Sequence, residues 1–248
     1  MMICRYDGSY AGLLTLLYRL FARREEPIII SSHPLAQDDL FAEVFESTTD
    51  PGLAARLTRA VADRLGEESV RHIRYAFLAE QPGIEMAIYA YLKLGWSLHR
   101  ELDQHLGNAT VACVHKWARR TLHEGHRLKG LLRFQETVDG VFYARVRPDA
   151  NVLAILAGHF ARRLGDRPWL IHDVRRDLGA LFDGGKWVIG ELRLTSTPVF
   201  TAEEHQWQQL WRTFFDRIAI PERINPRLQK NFMPMKYWEF LVEMNPSR

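Results

Sequence analysis

The first third of the chain alternates between short apolar segments and helical periodicity. Residues 3–6 and 27–30 each predict a short strand. Between them, leucines recur three or four positions apart, which predicts a helix that Ser9 caps and that ends near Arg24. Another helix is predicted to begin at Pro51. Three more helices are predicted, over 67–79, 83–106 and 108–129.

After about residue 130 the hydrophobic period changes to two, which is typical of strands. Residues 131–146 predict a hairpin with two possible registers. A two-residue Asp-Gly turn would place Phe134 opposite Arg145, whereas a three-residue loop places Phe134 opposite Ala144. The second register makes one face apolar and gives Gly140 the left-handed conformation, so we favour it. Its other face then carries Arg133, Gln135, Tyr143, Arg145 and Arg147.

The rest of the chain predicts a helix, a strand, a second hairpin and a longer helix. These elements lie over 151–165, 169–171, 178–192 and 202–218. Thr201 is the expected cap of the longer helix, with Glu204 as its capping-box partner. The aromatic tail around Tyr237 is interpreted as a core anchor in preference to a base-stacking platform.

Together these elements predict an α+β fold, with a mainly helical N-terminal part followed by a small antiparallel sheet flanked by helices. A weak boundary at Gln81-Pro82-Gly83 separates an N-terminal α/β region, residues 1–82, from a core domain, residues 83–248. The 248 residues are 47% hydrophobic and 25% charged, a composition that excludes a disordered chain. A chain of this length buries a sizeable core without disulfides.

Targeting signals and cysteines give expectations about the compartment. The N-terminus lacks a basic and apolar leader, and no apolar run reaches about 18 residues, so we expect a cytoplasmic protein that does not enter a membrane. Cys4 and Cys113 are far apart and have no CxxC partner. This spacing argues against a thiolate zinc site or an iron–sulfur cluster in this chain and fits a reducing compartment.

Positive charge is concentrated in the middle of a chain whose net charge is only +3. Residues 115–176 contain 13 Lys and Arg against 6 Asp and Glu, while the remaining residues contain 20 against 24. On the helix over 108–129, a basic stripe with Arg119, His123 and Arg127 lies beside an apolar stripe. The functional interpretation is contact with nucleic-acid phosphates, and the alternative is an ordinary solvated or internally paired face.

Two histidine-containing segments suggest chemistry. His159 and Arg163 fall within the apolar arc of their helix, where a buried arginine requires a partner such as Glu124 or Asp173. The functional interpretation is the floor of a polar pocket, and the alternative is a core histidine with a structural ion pair. His172 and Asp173 end a strand and offer a general base with an orienting carboxylate.

No metal site is predicted, because no Asp or Glu completes a zinc motif with His123 and His126. Nucleophile-elbow, P-loop and dinucleotide motifs are also absent from the sequence. The candidate catalytic residues are His159, His172 and Asp173. The candidate nucleic-acid-binding residues are Arg119, His123, Arg127, Arg133, Arg145, Arg147, Arg163, Arg175 and Arg176.

Several segments, taken in this order, resemble one bacterial family. They are His123-Glu124-Gly125-His126-Arg127, Leu132-Arg133-Phe134, Ala157-Gly158-His159-Phe160, Trp169-Leu170-Ile171-His172-Asp173, Ile224-Asn225-Pro226-Arg227-Leu228-Gln229, Met233-Pro234 and Tyr237-Trp238. From about Gly83 onward the chain resembles the family described as probable DNA metabolism protein. The core of that family is a domain of unknown function that also occurs fused to uracil-DNA glycosylases. Its standalone form is typically encoded beside a radical SAM protein of DNA modification or repair.

The resemblance implies a context in DNA repair or modification and a radical SAM partner, which would hold any iron–sulfur cluster and SAM. It transfers no catalytic residue. We therefore favour an accessory protein that binds DNA through the basic helical stripe and the arginine face of the first hairpin. One alternative is a DNA-processing hydrolase, a nuclease or glycosylase, that uses His and Asp as acid and base. A second is a non-catalytic scaffold that binds only its protein partner.

Overall fold

The computed structural model of the protein describes residues 2–33 and 43–245. The chain divides into two compact units, residues 1–122 and residues 123–248, a division that lies later along the chain than the boundary expected at residue 82. Helices are the main elements of the first unit, and a mostly antiparallel sheet with flanking helices forms the second. The predicted α+β class is therefore confirmed. In the part of the chain that the structure describes, no helix combines the length and the apolar sequence needed to cross a bilayer.

The first unit contains a three-stranded parallel sheet. Its strands are β1 (Met2–Arg5), β2 (Ile29–Ser31) and β3 (Glu43–Glu46), in the order β2-β1-β3. The sequence pattern predicts β1 and β2 to within about two residues at each end. It does not predict β3, because Glu43-Val44-Phe45-Glu46 lacks the apolar alternation of a half-buried strand.

Five helices follow the predicted positions. They are α1 (Tyr10–Arg23), α2 (Pro51–Arg64), α3 (Glu67–Phe77), α4 (Ile84–Leu98) and α5 (Ala109–Leu131), and α5 begins in the first unit and ends in the second. The predicted cap of α1 is confirmed, since Ser9 Oγ accepts a hydrogen bond from the backbone N of Gly12 at 2.9 Å. The predicted helix over 83–106 is too long. It ends at Leu98 because His99 has a left-handed φ of 54°, and the chain tightens into a 3₁₀ turn, His99–Gln104.

The second unit contains a five-stranded sheet in chain order. Its strands are β4 (Gln135–Glu136), β5 (Phe142–Val146), β6 (Trp169–Asp173), β7 (Leu178–Phe182) and β8 (Trp187–Glu191). Three of the four pairings are antiparallel, but β5 and β6 are parallel. Helix α6 (Leu153–Arg163) connects these two strands and returns the chain to the starting end of the sheet, as a parallel pairing requires.

The favoured register of the first hairpin is confirmed. Gln135 lies opposite Tyr143 and Glu136 opposite Phe142, which is the register that places Phe134 beside Ala144. Gly140 adopts a φ of 75°, the left-handed conformation that the loop needs. The side chains of β5 therefore alternate as predicted, with Ala144 buried in the core and Arg145 exposed.

Helix α6 covers one face of the larger sheet. Leu156 and Phe160 pack with Trp169 and Ile171 in the core of the second unit, all less than 5% exposed. Because side chains alternate along a strand, His172 lies on the opposite face of the sheet from α6. The sheet therefore lies between the His172 side chain and α6, which carries His159 and Arg163.

The C-terminal segment contains helices α7 (Ala202–Ile218) and α8 (Pro226–Phe232) and a 3₁₀ turn, Met235–Phe240. Thr201 caps α7 as predicted, but the capping box is wrong. The Glu204 carboxylate instead accepts a hydrogen bond from the backbone N of Glu136 at 3.1 Å, which attaches α7 to the edge strand β4. Tyr237 is 2% exposed, so its interpretation as a core anchor is confirmed.

Candidate nucleic-acid interface

Helix α5 presents the predicted basic stripe. Val111 and Ala118 on its apolar side are fully buried, whereas Arg119 and His123 are exposed and Arg127 is half-buried. Within residues 2–33 and 43–245, none of these three basic side chains forms an ion pair. The charges of Arg119 and Arg127 are therefore available to an anionic ligand, and His123 lies between them on the same stripe.

A pocket of about 220 Å³ in the second unit is lined by basic, amide and aromatic side chains. The hairpin supplies Arg133, Gln135 and Arg145 from the face that the sequence pattern identified. Helix α7 supplies His205, Gln208 and Arg212, and aromatic walls come from Phe200 and Phe240. The α7 residues were missed, although their spacing of three and four positions places them on one helical face.

Arg145 and Arg133 differ in their availability. Arg145 is exposed, and its guanidinium carbon lies 5.6 Å from the centre of the Phe240 ring. Arg133 instead makes a bidentate ion pair with Glu243, at 2.6 Å from Nη2 to Oε1 and 3.2 Å from Nε to Oε2. The Glu243 side chain is only 1% exposed. Burial raises its pKa, but the bonds and charge of Arg133, together with the backbone N–H and the Trp211 indole N–H, lower it overall. Arg133 therefore holds the wall of the pocket, while Arg145 is free to bind.

Three other candidate arginines also have partners within the protein. Arg147 Nη1 lies 2.7 Å from Glu239. The guanidinium of Arg175 donates to the backbone carbonyl of Asp149 at 2.9 Å, and that of Arg176 donates to the same carbonyl at 2.7 Å. These contacts support the loop between β5 and α6.

The interpretation of His159 and Arg163 needs correction. Arg163 is the last residue of α6 and is exposed, because the helix ends there, so it needs no buried partner. His159 is half-buried, and burial, followed by the charges of Lys129, Arg163 and Arg162, lowers its pKa. The end of α6 is thus a second group of basic side chains.

His172 and Asp173 point to opposite sides of β6. The Tyr143 hydroxyl lies 2.8 Å from His172 Nδ1, and His172 Nε2 is buried with no hydrogen-bond partner among the described residues. Burial is the main cause that lowers the pKa of His172. Asp173 is 0% exposed and its carboxylate accepts from the backbone N of Arg175 at 3.0 Å and from Arg176 Nη1 at 2.8 Å.

The expected polar pocket of His159, Arg163, His172 and Asp173 is therefore wrong as a group. Helix α6 lies on the face of the sheet that holds Trp169 and Ile171, and His172 lies on the other face. The side chains of His172 and Asp173 are separated by the sheet as well. His159, Arg163, His172 and Asp173 therefore do not surround one place where a substrate atom could react.

A second polar group lies in the first unit and was not anticipated. Asp103 accepts hydrogen bonds from the Ser69 hydroxyl at 2.8 Å and the Tyr91 hydroxyl at 2.5 Å. Its Oδ1 also lies 3.2 Å from His72 Nδ1 and 2.6 Å from His115 Nε2. Burial raises the pKa of Asp103, but these four hydrogen bonds outweigh it and hold the pKa well below its usual range. No short sequence motif predicts this group, because its residues come from four elements: α3, α4, the 3₁₀ turn after α4, and α5.

The comparisons with known proteins concern mainly the second part of the chain. A family model described as a domain of unknown function, DUF4130, matches residues 82–243. This match covers more than half of the chain. The chain belongs to the DUF4130 family. No curated protein and no solved structure matches it.

The DUF4130 region contains all of α5, the complete larger sheet and the pocket residues up to Val242. Of the polar group around Asp103, it includes Tyr91, Asp103 and His115 but not Ser69 or His72. The basic stripe and the arginine pocket are thus features of the family domain in this chain.

We expect Arg133→Ala to destabilise the protein by about 3–5 kcal/mol, because it leaves the buried Glu243 carboxylate without its cation. Arg145→Ala has no ion pair to break within the described residues, so we expect a change of about 0.5 kcal/mol or less. Urea denaturation of both full-length variants measures the difference. An equal loss of unfolding free energy in the two variants would show that Arg133 is no more important for stability than Arg145.

The buried histidine of β6 predicts acid sensitivity. Because the pKa of His172 is lower in the folded than in the unfolded protein, the unfolded state binds the proton first, and stability falls as the pH drops below about 6.5. His172→Gln has no such titration, so it should lose less unfolding free energy between pH 7 and pH 5 than the wild type. Urea denaturation at both pH values tests this, with exposed His126→Gln as the matched control. A variant that follows the wild-type pH dependence would contradict it.

Proposed function

We propose that this DUF4130 protein is a nucleic-acid-binding accessory factor in DNA repair or modification that acts with a radical SAM partner. The observation that carries the proposal is the set of exposed basic side chains on α5 that have no acidic partner in the described part of the chain. The net charge of the protein is only +3, so its overall charge would attract nucleic acid weakly. A local surface of unpaired basic side chains can bind a polyanion in spite of this, so we favour a nucleic acid as the ligand.

The spacing along α5 suits contacts to successive backbone phosphates. Arg119, His123 and Arg127 are four residues apart, so they repeat about every 6 Å along the helix axis. Such contacts to phosphate carry affinity without sequence preference. We assign α5 this positioning role.

The arginine pocket adds a place for a base or a strand end. Arg145 offers an exposed guanidinium beside the half-buried ring of Phe240, and Phe200 forms another aromatic wall. A guanidinium binds phosphate and an aromatic ring stacks on a base, the combination used for single-stranded nucleic acid. Gln135 and Gln208 supply amides that can hydrogen-bond a base edge.

A protein partner is supported by the apolar surface of the C-terminal helices. Trp207 of α7 is 65% exposed and Phe214 is 52% exposed. Further exposed apolar side chains continue along this segment: Leu210, Ile218, Ile220, Ile224, Leu228 and Phe232. Trp207, Leu210, Phe214 and Ile218 recur three or four positions apart, so they share one face of α7, and an exposed apolar face favours protein contact. Any iron–sulfur cluster and SAM would be held by the partner, since Cys4 is buried and Cys113 is far from it in sequence.

Charge reversal tests the nucleic-acid part. We expect Arg119→Glu combined with Arg145→Glu to weaken binding to fluorescent single- and double-stranded DNA by at least roughly tenfold and to reduce the salt slope by about two, because two phosphate contacts are lost. The matched control is Arg56→Glu with Arg59→Glu, two exposed arginines of α2 that carry the same change in charge.

Equal losses in the test and control pairs would indicate attraction by net charge alone and would overturn the assignment of this surface. If the wild type binds no DNA at low salt, the nucleic-acid part fails, and a scaffold that binds only its protein partner becomes the better interpretation.

The partner part is tested with the radical SAM protein that the resemblance to the DNA metabolism family implies. We expect Trp207→Ser with Phe214→Ser to abolish co-elution of the two proteins in size-exclusion chromatography, since the apolar contact surface is lost. Trp187→Ser, which removes an exposed aromatic of β8, serves as the control. An intact complex with the double variant would exclude this surface.

A further inference from the structure

The polar group around Asp103 in the first unit has the donors of a metal site. His72 Nδ1, one Asp103 carboxylate oxygen and His115 Nε2 all lie within 4.8 Å of one another. Two imidazole nitrogens and one carboxylate oxygen are a ligand set that divalent transition metals use in proteins. Among the described residues, these three form a group of His, Cys, Asp or Glu close enough to hold an ion.

The two separations that involve Asp103 can be compared with those of a metal site. Ligand atoms about 2.0–2.1 Å from a tetrahedral ion are about 3.3 Å apart. Asp103 Oδ1 lies 3.2 Å from His72 Nδ1, close to this value, whereas its separation of 2.6 Å from His115 Nε2 has to widen. The two imidazole nitrogens lie within 4.8 Å of each other. The two imidazole rings are already side by side, with centroids 4.0 Å apart.

Residues behind the ligands hold Asp103 in place. Ser69 from α3 donates to Oδ2 at 2.8 Å, and Tyr91 from α4 donates to Oδ1 at 2.5 Å. Both of these residues are fully buried. Outer hydrogen bonds of this kind orient ligating carboxylates in metal sites. The carboxylate is therefore preorganised on a packed helical scaffold, and not carried on a mobile loop.

The site is accessible from solvent. Asp103 lies at the wall of an open pocket of about 730 Å³. Asp63, Glu67 and Glu68 line the same pocket and give it acidic character, with Arg100 as its cation. The side chains of His72, Asp103 and His115 are each 20–23% exposed, so an ion and its water ligands can reach them.

We propose that His72, Asp103 and His115 bind one divalent transition-metal ion and that water completes its coordination. Three protein ligands leave at least one position of a tetrahedral ion open for water. The two imidazole donors select Zn²⁺, Co²⁺ or Fe²⁺ over Mg²⁺ and Ca²⁺, which prefer all-oxygen ligands. The three ligands are not among the proposed DNA-binding residues, although His115 and Arg119 share α5, so either assignment can fail without the other.

The test uses the full-length chain after its affinity tag has been removed and bound metal has been stripped with a chelator. Titration with Co²⁺, followed by its visible absorption, and with Zn²⁺, followed by calorimetry, should each give one equivalent per chain. Mg²⁺ should not bind at the same concentrations. His72→Gln and His115→Gln keep a side-chain amide that can donate to Asp103 but remove an imidazole ligand. We expect each variant to bind Zn²⁺ at least roughly tenfold more weakly.

The matched control is His126→Gln, because His126 is an exposed histidine on the same helix as His115. Absence of Zn²⁺ and Co²⁺ binding by the wild type would overturn the proposal and leave a hydrogen-bond network only. Unchanged affinity in both ligand variants would overturn it as well. If the variants do not fold, X-ray absorption at the zinc edge of the wild type decides, since the proposal requires two imidazoles and fails with fewer.

Discussion

The buried carboxylate of Glu124 connects the parts of the second unit on which the candidate interface depends. It accepts hydrogen bonds from the backbone N of Asp149 at 2.9 Å and of Ala150 at 2.8 Å, from Lys236 Nζ at 2.8 Å and from the Tyr237 hydroxyl at 2.5 Å. One side chain of α5 thereby holds the loop before α6 and the C-terminal turn. Burial raises the pKa of Glu124, but these donors outweigh it and keep the carboxylate charged. A buried charge is tolerated only with such complete pairing, so the four contacts act as a unit.

The same rule of pairing sorts the arginines of the basic region into two roles. Arg133 and Arg176 pair with carboxylates that are at most 1% exposed, and they hold the pocket wall and a loop. Arg119 and Arg145 have no carboxylate partner in the described part of the chain and remain exposed. A surplus of basic residues in a sequence window therefore overstates the ligand-binding charge. The structure leaves a smaller set, concentrated on α5 and beside Phe240.

The sequence correctly predicted those features that are determined by residues close together in the chain. The Ser9 and Thr201 caps, the left-handed Gly140 and the hairpin register all follow from residues within a few positions of one another. The sequence-based prediction was wrong where a contact with a distant residue, or the backbone angle of one residue, determines where an element lies or ends. Helix α4 ends at the left-handed His99, and β3 exists because it pairs with β1, some forty residues earlier in the chain.

By itself, the sequence determined the α+β class and which side of each helix and strand carries charge, because periodicities of 3.6 and two residues are properties of the local backbone. Only the tertiary structure decided which charges are already paired. Arg133 meets Glu243 across 110 positions, and His72 meets Asp103 across 31. Such partners are chosen by the packing of whole elements, which no short motif records. The candidate interface was therefore partly visible in the sequence, whereas the His72, Asp103 and His115 group was not.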